Sequence, residues 1–345
     1  MGQSDFLIEV EDLKKWFYPK QSLIGRRKAP LRAVDGISFS IKKGTSIGIA
    51  GESGCGKTTT GKLLLKLYDA TEGSFKFDGV EMNSGMTKQE LKDFRRKAQL
   101  MFQNPYEALN PRYTIYQSLQ EPLIIHKYGT KEVRRKKIIN MLEKVRLTPV
   151  ESYLHKFPHQ LSGGQLQRVV LARSLVVDPL FLVADEPVSM LDVSVRAGVL
   201  NLMREVTSTM GLTTVYISHD LSLIKYLCEE TVIMYLGSIV EKGPTDKILF
   251  SPMHPYTMAL ISAVPSSDPD VELKELNINN SITSADNIPD GCKFQDRCPY
   301  AQEICFKQEP LLQKTKNDHF VACHFSEEIG GKQYENRLCS TRSYG

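Results

Sequence analysis

Residues 51–58 read GESGCGKT, a G-x-x-x-x-G-K-T pattern set directly after the apolar run GTSIGIA and at the start of the helical stretch TTTGKLLLKLYD. A strand that ends in a glycine-rich turn and continues as a helix aims backbone N–H groups at an anion. The helix N-terminus adds positive potential there. Gly51, Gly54 and Gly56 let the chain curl, Lys57 can reach the β- and γ-phosphates of a nucleotide, and the Thr58 hydroxyl can ligand Mg²⁺. Ser53, Cys55 and Thr59 complete the expected nucleotide-binding set.

Three other stretches carry chemistry. Asp185 ends the apolar run LFLVA; an acid there can hold the Mg²⁺ shell, and Glu186 beside it can orient or deprotonate a water for in-line attack. LSGGQ at 161–165 opens a helix with a serine and two glycines, a second place where backbone N–H groups can meet an anion. Lastly, four of the seven cysteines, Cys292, Cys298, Cys305 and Cys323, follow the spacing C-x5-C-x6-C-x17-C. Structural zinc sites usually contain close cysteine pairs, and this spacing has none. Four thiolates also satisfy an iron–sulfur cluster, which tolerates varied spacing. The residues leave open a [4Fe–4S] cluster, zinc, or metal-free thiols and disulfides.

The elements that must position these groups read as α/β. FLIEVEDL, LRAVDGISFSI, GTSIGIAG and SFKFDGV have strand character, and 88–176 reads as helical. LFLVADE and TTVYISHD are apolar runs of the kind buried in a parallel sheet, separated by the helix RAGVLNLMREVTSTM. Of the 345 residues, 41% are hydrophobic and 24% charged, ordinary for a globular protein. The net charge of +4 comes from 44 basic and 40 acidic residues, well mixed, which gives no nucleic-acid signature; RRKK in 134–137 reads as the solvated face of a helix. No apolar signal segment opens the chain, and no apolar run approaches the ~20 residues a membrane span needs. A reducing compartment then favours metal binding over disulfides for clustered cysteines.

GESGCGKTT, LSGGQ, ADEP and ISHD, in this order and spacing, resemble the nucleotide-binding subunits of ABC transporters over about the first 265 residues. The resemblance implies a P-loop NTPase core with an antiparallel β subdomain and a helical subdomain. It also implies that two subunits sandwich two ATPs, each lending its LSGGQ to the other's phosphate loop. Ser162, Gly163, Gly164 and Gln165 would then contact the partner's γ-phosphate, and Gln103 in MFQNP would lie near Mg²⁺ and the attacking water. Asp192 in SMLDVS matches the aspartate of the loop that crosses the dimer, and His219 the γ-phosphate sensor. The adenine platform falls in WFY, with Phe17 first by its offset from Leu13 and Trp16 its competitor.

QNPYEALNPR, HPYTMALISAVP and GCKFQDRCPYAQEIC…VACHF are similar to stretches of the ATPase subunits of oligopeptide and dipeptide importers, and EPVSMLDVS with a glutamine-bearing LSGGQ resembles their F type. That resemblance implies a D-type ATPase partner, two membrane permease subunits, an extracytoplasmic solute-binding protein, and a peripheral place on the cytoplasmic side of the membrane. It also implies that such importers can carry a [4Fe–4S] cluster in this C-terminal element. Nickel and oligosaccharide importers use the same ATPase class, and a soluble ABC ATPase acting on nucleic acid is the alternative of a different class. The expected organisation is a nucleotide-binding domain over 1–265 with its helical part near 104–176, a linker at 266–290, the cysteine element at 291–330, and a frayed tail at 331–345. Cys55, inside the phosphate loop, is expected to block ATP binding when alkylated.

Overall fold

Two sheets meet at the phosphate loop. The computed structural model describes residues 4–19, 29–82, 84–264, 288–315 and 319–330. The first sheet is antiparallel, in the order β2-β1-β4-β5, from β1 (Phe6–Phe17), β2 (Leu31–Lys42), β4 (Glu72–Phe77) and β5 (Val80–Glu81). The second has the order β11-β12-β10-β9-β3-β8-β7-β6. Its strands are β3 (Ser46–Ala50), β6 (Ala98–Met101), β7 (Phe181–Asp185), β8 (Thr213–Ser218), β9 (Glu230–Tyr235), β10 (Ser238–Pro244), β11 (Gln313–Lys314) and β12 (Phe320–Val321). β9, β3, β8, β7 and β6 run parallel, while β10, β12 and β11 extend the sheet antiparallel.

Side chains alternate between the faces of a strand, so a strand buried on both sides serves two cores. Phe181, Val183, Val215 and Ile217 pack toward α1 (Lys57–Leu64) and the antiparallel sheet. Leu182, Ala184 and Tyr216 pack toward the opposite core, which holds the helical part. That part comprises α3 (Pro105–Ala108), α4 (Ile115–Ile125), α5 (Lys131–Lys144), α6 (Glu151–Leu154) and α7 (Gly163–Leu175). On α5 only Ile138, Met141 and Leu142 are buried, but the basic run is solvated only in part: Arg135 and Lys136 are exposed, whereas half-buried Arg134 donates to the Tyr128 and Gly129 carbonyls and Lys137 pairs with Asp178. α8 (Val193–Thr209), α9 (Leu221–Leu227), α10 (Thr245–Phe250) and α11 (Pro255–Ser262) follow the later strands. α12 (Glu303–Lys307) and α13 (Ser326–Ile329) belong to the cysteine segment.

Two expectations need correction. The helical reading of 88–176 is interrupted: α2 (Lys88–Lys97), held by a Thr87/Glu90 capping box, hands directly to β6. β6 is only AQLM, too short to show a period, and it forms because β7 offers a parallel neighbour from Ala98 opposite Phe181 to Met101 opposite Ala184. The cysteine segment, expected as an appendage beyond a linker, joins the main sheet. Glu241 and Lys242 of β10 pair with Val321 and Phe320 of β12, and Phe294 is 1% exposed. Burying such a ring contributes about 2–3 kcal/mol. Most of the expected linker and all of the expected tail, Cys339 included, lie outside the described residues.

Candidate active site

Parallel register brings the chemistry to one edge. Ala50 stands opposite Ser218, Asp185 opposite Ile217, and Met101 opposite Ala184. The residues that leave these strand ends, Gly51, Glu186, His219 and Gln103, therefore line the C-terminal edge of the sheet, where open α/β sheets bind ligands.

The phosphate loop is shaped by contacts that only glycine permits. Gly56 has φ +106°, and a Cβ there would lie 2.2 Å from the Ala33 carbonyl oxygen of β2. Gly51, at φ +148°, would place a Cβ 2.3 Å from the Met234 carbonyl oxygen of β9. The loop thus sits pressed between the two sheets, with α1 starting at Lys57. Lys57 Nζ donates to the Gly51 and Glu52 carbonyls at 2.7 and 2.8 Å, which closes the curl. The Glu52 N–H donates to Tyr256 Oη at 2.8 Å, and the Glu52 carboxylate accepts two bonds from Arg297 at 2.9 and 3.0 Å.

Cys55 is buried within the loop. Its thiol is 4% exposed, and burial pushes its pKa up despite the nearby Lys57. A buried, protonated thiol is a poor nucleophile, so alkylation there is slowed.

Asp185 is buried at the end of β7, and its Oδ1 has no hydrogen-bond partner among the described residues. Burial raises its pKa against the bond it accepts from the Thr58 hydroxyl, and Glu186 adds to the rise. An orphaned buried carboxylate oxygen beside a hydroxyl is a hard oxygen donor pair that fits Mg²⁺. Glu186 follows at φ +46°, a left-handed conformation uncommon outside glycine. Its N–H donates to the Ile217 carbonyl at 2.9 Å. Its Oε1 accepts the His219 N–H at 3.0 Å and lies 2.7 Å from His219 Nδ1, and Ser218 Oγ donates to Oε2 at 3.4 Å. The acid and the histidine are thus one unit. Gln103 is exposed just past β6.

LSGGQ lies at the start of α7. Ser162 caps α7 in a reciprocal box with Gln165, and Gln165 Nε2 also reaches Tyr153 Oη. Gly164 packs so tightly that a Cβ would come within 2.4 Å of Val195 on α8. Gly163 would meet Leu191. The start of α7 therefore rests on the loop that carries the exposed Asp192, and Arg196 secures that loop by donating to the Leu191 and Ser189 carbonyls. Gln167 of α7 donates to the Pro187 carbonyl next to Glu186. Arg196 and Gln167 were not singled out in the sequence, since both do their work through backbone carbonyls and neither belongs to a motif.

The two aromatic candidates separate as a strand requires. Trp16 Nε1 donates to Asp35 at 3.0 Å and its ring lies under Arg32, whereas Phe17 meets Tyr68, just beyond α1, edge-on at 5.5 Å.

The four clustered cysteines are free thiols. All four, with His324, line one small cavity against α11. Burial pushes Cys292 up to about 12 and Cys323 up to about 11. Among the described residues no three His, Cys, Asp or Glu side chains are placed to hold a single metal ion. The thiols thus surround one small space, and among the described residues none of them is joined in a disulfide. His319 is no ligand either: it is buried with Nε2 2.6 Å from Glu241. His324 Nε2 lies 3.0 Å from the Gln308 carbonyl oxygen.

Comparison with known proteins follows the same lines. The sequence model described as "ABC transporter" matches residues 34–189, and that described as "Oligopeptide/dipeptide transporter, C-terminal region" matches 240–305. The oligopeptide transport ATP-binding protein AppF of Bacillus subtilis is 40% identical over 94% of this chain and 98% of its own length. The dipeptide transport ATP-binding protein DppF of Haemophilus influenzae is 42% identical over 92% and 96%. Among solved structures, a dimeric bacterial ABC transporter cassette superposes with a TM-score of 0.60 at 27% identity, over 69% of this chain and 98% of that one. Among the described residues no helix is long and apolar enough to cross a membrane.

Proposed function

The chain belongs to the ATP-binding proteins of ABC transporters, and from that membership we propose that it hydrolyses ATP to drive import of oligopeptides or dipeptides. The observation that carries the peptide reading is the match of residues 240–305 to the C-terminal region of oligopeptide/dipeptide transporters, alongside relatives similar over nearly their whole length. The transport partners are two membrane permease subunits served by a solute-binding protein, with this chain peripheral on the cytoplasmic side.

In this reading the loop amides from Gly51 to Thr59, Ser53 and Cys55 among them, and the Lys57 ammonium bind the β- and γ-phosphates of the substrate ATP. Thr58 and Asp185 hold Mg²⁺, with Gln103 near its shell; the ion would neutralise charge on the phosphate oxygens. Glu186, fixed by His219, orients the attacking water and takes its proton. Phe17 or Trp16 supplies the adenine platform. Ser162, Gly163, Gly164 and Gln165 act on the ATP of a second ATPase, with Asp192 at the shared interface; support comes from the place of LSGGQ on α7, packed against α8. We assign the chain to the F type, paired with a D-type subunit, because EPVSMLDVS and LSGGQ resemble that type. Contact with the permeases falls in 103–125, where Tyr106 and Tyr113 present exposed rings.

The cysteine element is proposed to hold a [4Fe–4S] cluster, supported by four free thiols around one cavity. Bound there, a cluster would staple a segment with little core of its own. Anaerobic purification with iron and sulfide analysis tests it: a colourless protein without sulfide would remove the proposal.

The transport role is tested by co-expressing the chain with candidate permeases. The expected outcome is co-purification from membranes and ATP-dependent uptake of labelled di- and oligopeptides into vesicles. A complex that hydrolyses ATP yet moves nickel or an oligosaccharide instead would refute the peptide assignment.

A further inference from the structure

The side chain of Glu52, the second residue of the phosphate loop, is held from outside the region matched as the ABC cassette. Arg297 donates Nη1 to Oε2 at 2.9 Å and Nη2 to Oε1 at 3.0 Å, a two-bond fork of the kind guanidinium and carboxylate form best. The Glu52 N–H is taken by Tyr256 Oη at 2.8 Å and its carbonyl by Lys57 Nζ at 2.8 Å. Every polar group of this residue is therefore engaged. Both Tyr256 and Arg297 lie in 240–305, the segment matched as the transporter C-terminal region.

Arg297 is itself well seated. Its N–H bonds the Phe294 carbonyl at 3.1 Å, and its guanidinium lies 5.6 and 5.7 Å from the rings of Phe294 and Tyr235. Phe294 packs on Tyr235 and Tyr256, so the arginine and the tyrosine that hold Glu52 share one aromatic cluster. A second tether reaches the other end of the loop. Lys293 Nζ bonds Asp35 at 2.9 Å, the Asp35 N–H bonds the Gly237 carbonyl at 2.9 Å, and the Gly237 N–H bonds the Cys55 carbonyl at 3.0 Å.

We propose that Arg297 is a positioning residue for ATP: by holding the Glu52 carboxylate in a fork it fixes the opening of the phosphate loop and neutralises an acid beside the triphosphate. Through Arg297 the cysteine-bearing segment, outside the phosphate loop itself, sets how well the loop receives the phosphates. A nucleotide brings several negative charges to a loop that contains one carboxylate, and an unpaired Glu52 would repel them and swing freely. The inference rests on this loop binding ATP; a wild-type chain without MgATP affinity would overturn that reading first.

The test is a double-mutant cycle on the full chain, read as MgATP affinity and as KM and kcat of hydrolysis. Arg297→Ala is expected to raise the ATP KM about three- to tenfold, as loss of a half-exposed fork predicts, with kcat within about twofold. Arg297→Lys, which keeps charge but not the fork, is expected to recover only part of the loss. In a Glu52→Gln background, Arg297→Ala is expected to add little, because the acid it restrains is gone. Equal losses in both backgrounds, or an unchanged KM, would overturn the proposal. Arg297→Lys keeps the packed stem and so also guards against misfolding: amide exchange at 52–56 is expected to speed up in this variant, and exchange identical to wild type would count against the brace.

Discussion

Glu186 and His219 leave neighbouring parallel strands and close on each other, with Glu186 Oε1 2.7 Å from His219 Nδ1 and 3.0 Å from the His219 backbone nitrogen. The histidine thereby fixes one oxygen of the acid and leaves the other toward Ser218 and solvent. Glu186→Gln is expected to keep MgATP binding and lower hydrolysis by about a hundredfold or more, the usual worth of a general base. His219→Ala is expected to lower turnover about tenfold or more with affinity little changed, since it removes the restraint and not the base. Nucleotide titration beside phosphate release checks both, and near-normal hydrolysis by the glutamine variant would refute the assignment.

Asp185 places a buried oxygen, without a hydrogen-bond partner among the described residues, beside the Thr58 hydroxyl. Asp185→Asn is expected to raise the Mg²⁺ concentration needed for half-maximal ATP hydrolysis by about tenfold or more, because one hard anionic ligand becomes neutral. A Mg²⁺ titration at fixed ATP is the measurement. An unchanged half-point would show that the carboxylate is not in the metal's shell.

His254 is fully buried, caps α11 by accepting the Tyr256 N–H at Nδ1, and has its pKa pushed down to about 3 by burial. Between the ordinary value of 6.5 and about 3, the unfolded chain takes up a proton that the folded chain refuses. Stability from this group is therefore present above pH 6.5 and falls as pH drops, by at most about 1.4 kcal/mol per pH unit. His254→Asn keeps a capping acceptor but cannot titrate, so its urea midpoint is expected to decline less between pH 7 and pH 4.5. Parallel declines for the two proteins would place the acid sensitivity elsewhere.

Cys55 is expected to resist alkylation in the folded chain, reacting at least about tenfold more slowly than after unfolding, because its thiol is buried and its pKa raised. Mass spectrometry of tryptic peptides after timed N-ethylmaleimide treatment follows it. Rapid native modification at Cys55 would mean that the loop opens readily.

The catalytic edge was legible because its residues are tied to local rules: a phosphate loop needs glycine where φ is positive, and a buried parallel strand reads as an unbroken apolar run. GTSIGIA, LFLVA and TTVYIS became β3, β7 and β8 for that reason. β6 escaped notice because four residues, AQLM, show no period, and only the neighbour they pair with makes them a strand. The cysteine segment was visible as a spacing, but its union with the sheet rests on Phe320 and Val321, two residues whose partners stand 78 and 80 positions earlier. Arg297 looked like one more charge between cysteines. Nothing local marks a guanidinium as the partner of Glu52.

Glu52 and Arg297 stand 245 positions apart. A ribosome adding roughly 5–20 residues per second would finish the phosphate loop roughly 10–50 seconds before it makes the arginine that holds it. All the hydrolytic motifs, from GESGCGKT to ISHD, would by then already have been made. A chain stopped short of residue 297 would carry a full set of catalytic residues around a loop whose Glu52 carboxylate has no guanidinium fork. The order of synthesis thus leaves the proposed brace on the loop until last, and unfinished subunits are expected to bind ATP more weakly, as Arg297→Ala is.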